Sequence, residues 1–217
     1  MNHPMRTMLR PFLFLCLWAM LWMPLSAFSE EVNPLELLQR VEAKIRQLPA
    51  AEVHFSLRDA SGQRVPGVIC LQGDCFRLTT EGVITWFDGK TQATLLESSQ
   101  EVNLSEPTME ELQSIHPYAW LSLYQKEYRL KLNEGSAERK QYGVVLTATN
   151  PKQDLLCMIL FINKANEQLE RMSLAYRGGE TVVITIQRFE ERKQPWPASM
   201  FTFDASAYPD VEVVDLR

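Results

Sequence analysis

From Ala51 onward, apolar residues recur at every second position in short runs, and many of the runs close on a glycine-bearing turn. Val53, Phe55 and Leu57 alternate with His54, Ser56 and Arg58, the pattern of a strand with one dry face. Asp59-Ala60-Ser61-Gly62, Gln72-Gly73, Asp88-Gly89 and Gly178-Gly179 supply turns between such runs. Further strands are expected at 65–71, 74–79, 83–87, 90–97, 127–132, 141–149, 155–163, 169–177, 180–189, 198–203 and 211–216. Short strands joined by tight turns cannot form parallel crossovers. The pattern therefore predicts a mainly β, α+β chain: an antiparallel sheet of about ten or eleven strands that curls or closes.

A two-residue loop at Gln72-Gly73 pairs Cys70 with Cys75 and Ile69 with Phe76. By the same parity Ile69, Phe76 and Leu78 share one face, with Arg77 and both cysteines on the other. Cys70 and Cys75 would then occupy a close, non-hydrogen-bonded pair within disulfide reach, leaving Cys157 free. In an exported chain such a pair is more readily a disulfide than a metal site.

Two segments depart from the two-residue period. Asn33-Pro34 reads as an N-cap followed by proline at the first helical position. Leu35, Leu38, Val41, Ile45 and Leu48 then recur at helical spacing until Pro49. Residues 108–124 predict two short helices, Thr108 and Glu111 forming a capping box at the first. Short helices need an apolar surface to rest on. Leu112, Ile115, Trp120, Leu121 and Tyr124 are therefore candidate lid residues over the concave mouth of the sheet, the alternative being helices that pack on the core as scaffold.

The N-terminal segment indicates compartment. Arg6 and Arg10 precede an apolar run over 12–25, and Ala27-Phe28-Ser29 places small residues at two cleavage-site positions. This is the layout of a secretory signal peptide over 1–29, leaving one domain over 30–217 in the periplasm. Loss of the two arginines makes the mature chain two charges more negative than the full-length value of −5. An acidic chain is a poor partner for nucleic acid or anionic headgroups.

The apolar content exceeds what a sheet with one dry face requires. Leu155 to Ile162 is continuously apolar, as is Val182-Val183-Ile184, so both faces of these strands need cover. A curled sheet with apolar residues inside either fills its interior or encloses a lipophilic cavity. There is no H-E-x-x-H, G-x-S-x-G or Gly-rich phosphate loop, and neither a cofactor nor a metal-ligand spacing is evident. A non-enzymatic binding protein is expected. Two other classes stand beside it: a small envelope hydrolase, and a structural or adaptor protein with a filled core.

Several local motifs, in order, resemble the LolA family of periplasmic lipoprotein carriers. Ala51-Glu52-Val53-His54-Phe55-Ser56 is similar to that family's first strand, Asp88-Gly89-Lys90-Thr91 to its S-D-G-K-T hairpin, and Phe201-Thr202-Phe203 to its F-x-F strand. The tail 209–217 resembles that of members from the Bacteroidetes. The family's Lys/Arg-Pro stretch, with its lid-latching arginine, has no match here, since Gln72-Gly73-Asp74 stands at that place. The resemblance implies an unclosed β-barrel or half-barrel with helices across its open side, and an acyl-chain cavity on the concave face, for which Phe55, Leu57, Ile69, Phe76, Leu78, Trp86, Leu160, Leu174, Ile184 and Ile186 are the candidate lining residues. It also implies a monomer that takes acylated lipoproteins from an inner-membrane Lol-type ABC transporter and hands them to an outer-membrane acceptor.

Overall fold

The computed structural model describes residues 32–108, 127–133 and 139–217. Its first element, α1 (Pro34–Arg46), begins as expected: Asn33 is extended, and its side chain accepts a 2.9 Å hydrogen bond from the Leu35 backbone N–H. The buried stripe is Leu37, Leu38 and Val41, with Leu35 turned outward, so the apolar face is rotated slightly from the expected one. Among the described residues no helix is long and apolar enough to cross a membrane.

The described strands are β1 (Ala50–Arg58), β2 (Arg64–Gln72), β3 (Cys75–Thr80), β4 (Val83–Phe87), β5 (Gln92–Leu96), β6 (Glu101–Ser105), β7 (Tyr128–Leu132), β8 (Gln141–Ala148), β9 (Leu155–Asn163), β10 (Leu169–Tyr176), β11 (Thr181–Arg192) and β12 (Glu212–Asp215). They form one sheet in the order β12-β6-β5-β4-β3-β2-β1-β11-β10-β9-β8-β7. Every pairing is antiparallel except β12 with β6, which is parallel. The sheet is open: its two ends, β12 and β7, do not pair with each other.

Three findings correct the sequence reading. The β2–β3 loop is Gly73-Asp74, with Gly73 at φ 54°, the left-handed value that a type II′ turn requires at its first central position. The register is consequently Gln72 to Cys75, Leu71 to Phe76, Cys70 to Arg77 and Ile69 to Leu78. This is two residues away from the expected register, so each side chain keeps its face. The cysteines, however, lose each other. Cys70 and Cys75 become diagonal neighbours, whose Cα atoms lie about 7–8 Å apart, beyond the usual disulfide reach of about 4.4–6.8 Å. Cys70, Cys75 and Cys157 are all free thiols, and burial raises the pKa of each. Thiol titration of residues 30–217, denatured without reductant, should therefore find three reactive groups per molecule; a count of one would restore the Cys70–Cys75 bond.

The second correction concerns 198–203. The segment is a 3-10 turn (Ala198–Phe201) rather than a strand, and it packs against β3 and β4. The third is β6, absent from the sequence reading, whose partner β5 supplies one ladder and β12 the other. The candidate lid residues Leu112, Ile115, Trp120, Leu121 and Tyr124 lie outside the described residues.

The sheet has two apolar faces with different covers. On one face Val53, Ile69, Leu71, Phe76 and Phe87 form a buried cluster, with Phe55, Leu78, Ile186 and Phe189 packed at its edge. On the other, Ile84, Trp86, Ala93, Leu95 and Val102 are covered by the C-terminal residues Phe203, Tyr208 and Val211. The continuous apolar run of β9 is partitioned differently. Met158, Leu160 and Ile162 are buried, whereas Cys157, Ile159 and Phe161 are half-buried. Phe161 is capped by the Arg171 guanidinium 3.8 Å from its ring, a cation–π contact in place of a second layer.

A candidate binding cavity on the concave face

The first face does not close over itself. β-Bulges interrupt β1–β11 beside Phe55 and β9–β10 at both ends, and a bulge bends its strand and increases local twist. Beneath the bend lies a cavity of about 890 Å³. Its floor comes from β1, β2, β3, β9, β10 and β11, and its rim from α1 and the β9–β10 turn.

Of the ten residues proposed from sequence, Phe55, Leu57, Ile69, Leu78, Leu160, Leu174, Ile184 and Ile186 line this space. Phe76 lies on the same face but beneath the floor, fully buried with its ring 5.4 Å from that of Phe87. Trp86 is the correction. It pairs across the ladder with Arg77 and therefore points to the opposite face, where its ring lies 5.6 Å from Phe203 and 5.7 Å from Tyr208. All of Ile84 to Phe87 is buried, so period alone could not say which side of β4 faces the cavity.

The lining includes residues not proposed as cavity residues. Val41, Ile45 and Leu48 of the helical stripe, together with Met172 and Val182, contribute apolar wall. The helical spacing of the first three carried that signal, but not its destination. Gly67 matters for the opposite reason: a methyl group there would collide with the Phe55 ring. The absence of a side chain lets that ring lie against the floor beside its cross-strand partner.

The charged residues of the lining are Lys44 and Glu167 at the rim and Glu191 near the end of β11. Glu167 stands on the β9–β10 turn with a positive φ of 54°. Its carboxylate receives Lys44 Nζ at 2.7 Å and Arg40 Nε at 2.9 Å, and Lys44 also donates to the Asn166 carbonyl at 3.1 Å. These bonds, Lys44 first and Arg40 second, hold the Glu167 carboxyl below its usual pKa. A depressed carboxyl pKa stabilises the fold above the unfolded value, here 4.5, and the contribution disappears as pH falls through the folded value. Because Arg40 and Lys44 are about half exposed, the clasp contributes no more than about 1 kcal/mol. Glu167→Gln should accordingly lower urea stability by up to about 1 kcal/mol at pH 7 and leave no difference at pH 3. An equal deficit at both pH values would contradict the assignment. Among the described residues, no group of histidine, cysteine and carboxylate side chains is arranged to hold a metal ion.

A family model described as outer membrane lipoprotein carrier protein LolA matches residues 25–174. No curated protein matches significantly. Among solved structures, the chain is similar to an uncharacterized conserved protein from Thermus thermophilus, at 15% identity over 83% of this chain and 97% of that one, with a TM-score of 0.56. It is also similar to a LolA superfamily protein from Nitrosomonas europaea, at 12% identity over 79% and 98% of the two chains (TM-score 0.44). A putative outer membrane lipoprotein-sorting protein domain from Vibrio parahaemolyticus aligns at 10% identity over 77% and 97% (TM-score 0.45). Of these three, only the Thermus structure superposes well enough to speak for the fold, and it supports the open, mainly β architecture. With most of its sequence covered by the family model, the chain belongs to the family of LolA outer membrane lipoprotein carrier proteins.

Proposed function

We propose that the concave cavity takes the acyl chains of lipidated proteins, and that the chain is a periplasmic carrier moving lipoproteins from the inner to the outer membrane. One observation carries this reading. Phe55, Leu57, Leu78, Val182, Ile184 and Ile186 are large apolar residues lining a concavity that the described residues leave open, and each is only partly buried. A folded protein gains about 0.8 kcal/mol per CH₂ by covering such surface. A site of about 890 Å³ falls at the upper end of the about 300–1,000 Å³ typical of ligand pockets. An acyl chain entering here removes two apolar surfaces from water at once, its own and the floor's.

Transport by this route needs no covalent step. A Lol-type ABC transporter at the inner membrane would load the cavity, and an outer-membrane acceptor holding the chains more tightly would empty it. The polar clasp from α1 to Glu167 borders the entrance and would leave the protein part of the cargo outside. The signal segment 1–29 would direct the remaining domain to the periplasm. Native mass spectrometry of the protein purified from the cell envelope should show a population carrying acylated species, and added triacylated lipoprotein should form a one-to-one complex. If the chain stays ligand-free in both experiments, the carrier reading is wrong.

A further inference from the structure

On the opposite side of the sheet, a second cavity of about 410 Å³ lies between β3–β4 and the C-terminal segment. Its walls are aromatic: Trp86 from β4, with Trp196 and Tyr208 from the segment that crosses this face. Tyr208 meets Trp86 edge-on at 5.7 Å. Arg77 enters from β3, its guanidinium 5.7 Å from the Trp86 ring centroid. Among the described residues, the acceptor its Nη1 finds is the Met200 thioether sulfur at 3.8 Å, a weak one. Among the described residues, Arg77 Nε and Trp196 Nε1 are both buried without an acceptor.

Two unanswered N–H donors in one aromatic cavity define a ligand chemistry. Leaving a buried donor unsatisfied costs about 1–3 kcal/mol, and an acceptor supplied from outside recovers it. The planar guanidinium fork fits a carboxylate through two parallel bonds, and the rings fit a flat or bulky apolar group. Charge narrows the choice further. Asp204 also lines the cavity, ionised and held by Ser206 through its backbone N–H (2.9 Å) and hydroxyl (2.7 Å). Arg192 stands just outside the lining, its guanidinium 3.6 Å from the Trp196 ring centroid, so the cations at the cavity outnumber the anion by one and a singly charged ligand balances them.

We propose that this second cavity binds a monocarboxylate carried on an aromatic group, its oxygens on Arg77 and Trp196 and its ring among Trp86, Trp196 and Tyr208. The chemistry is that of a free aromatic acid or of a polypeptide ending in an aromatic residue. It is independent of the acyl-chain site, from which the sheet separates it.

The test uses the mature protein and two-dimensional NMR of the tryptophan indole N–H signals, the Trp196 signal being assigned by its loss in Trp196→Phe. N-acetylphenylalanine should move the Trp196 signal, with an apparent Kd at least tenfold lower than that of N-acetylphenylalaninamide. Arg77→Met should weaken the acid at least tenfold, and Trp196→Phe, which keeps a ring but no N–H and is followed by the Trp86 indole signal, at least threefold. Both variants should retain wild-type binding of a fluorescent fatty-acid probe in the concave cavity. A tetrapeptide ending in free phenylalanine identifies the source: tenfold tighter binding than the single residue assigns a polypeptide terminus, and equal binding assigns a free acid. Equal affinity for acid and amide, or an acid affinity unchanged in both variants, overturns the proposal. Should Arg77→Met fail to fold, the acid–amide comparison and Trp196→Phe decide it.

Discussion

Ile184→Glu should weaken acyl-chain binding at least a hundredfold at neutral pH while leaving the protein folded. Ile184 lies in β11 at the cavity floor, partly exposed to the concavity and paired with Leu57 on one side and Met172 on the other. In the empty cavity a glutamate there reaches water, so the cost to folding is small. Once an acyl chain lies over it, the carboxylate loses that water and finds no cation among its cross-strand neighbours, and an unpaired charge in an apolar setting costs several kcal/mol. A hundredfold loss corresponds to about 2.7 kcal/mol, at about 1.4 kcal/mol per factor of ten. Ile184→Gln, polar but uncharged, should lose less. Titration with a fluorescent fatty-acid probe measures both. Wild-type affinity in the glutamate variant would mean that acyl chains do not occupy this floor.

Phe76→Ala should have the opposite profile, with a large effect on stability and a smaller one on the shape of the lining. Phe76 is fully buried beneath the floor, stacked obliquely on Phe87 at 34° between ring planes and bounded by Val53, Ile69 and Leu71. Removing a buried phenyl ring costs about 3–5 kcal/mol, because transfer free energy and an unfilled cavity add. That is a large share of the about 5–15 kcal/mol that holds a domain together. Urea unfolding should show a lowered midpoint with an unchanged slope. A loss below about 1 kcal/mol would mean the site collapses readily, and that the floor is not supported from beneath.

The contrast between these two residues shows what period and parity can reach. Along β2 and β3, alternation assigned Ile69, Phe76 and Leu78 to one face correctly even though the hairpin is closed by a different pair. A slip of two residues preserves faces, so face is the more durable inference and partner the more fragile. The disulfide expectation rested on partner. Trp86 failed for another reason: β4 is covered on both sides, and its one polar residue, Thr85, is itself buried, so neither side reads as wet.

Local chemistry alone determined much of the chain. Asn33-Pro34 started α1, glycine at left-handed positions closed several hairpins, and two-residue alternation built strands with a dry concave face. These are short-range effects of caps, φ values and pleat, so they are written in neighbouring residues. Tertiary structure decided what those strands enclose. β1 meets β11 across more than a hundred residues of sequence, bringing Leu57 beside Ile184 and Phe55 beside Ile186, and no local pattern encodes that meeting. It also folded residues 198–208 across the far face instead of continuing the sheet, because Trp86 and its apolar neighbours there required cover. The concave face received no comparable cover from the described residues, and that difference between the two faces is what leaves a cavity open on one side of the sheet.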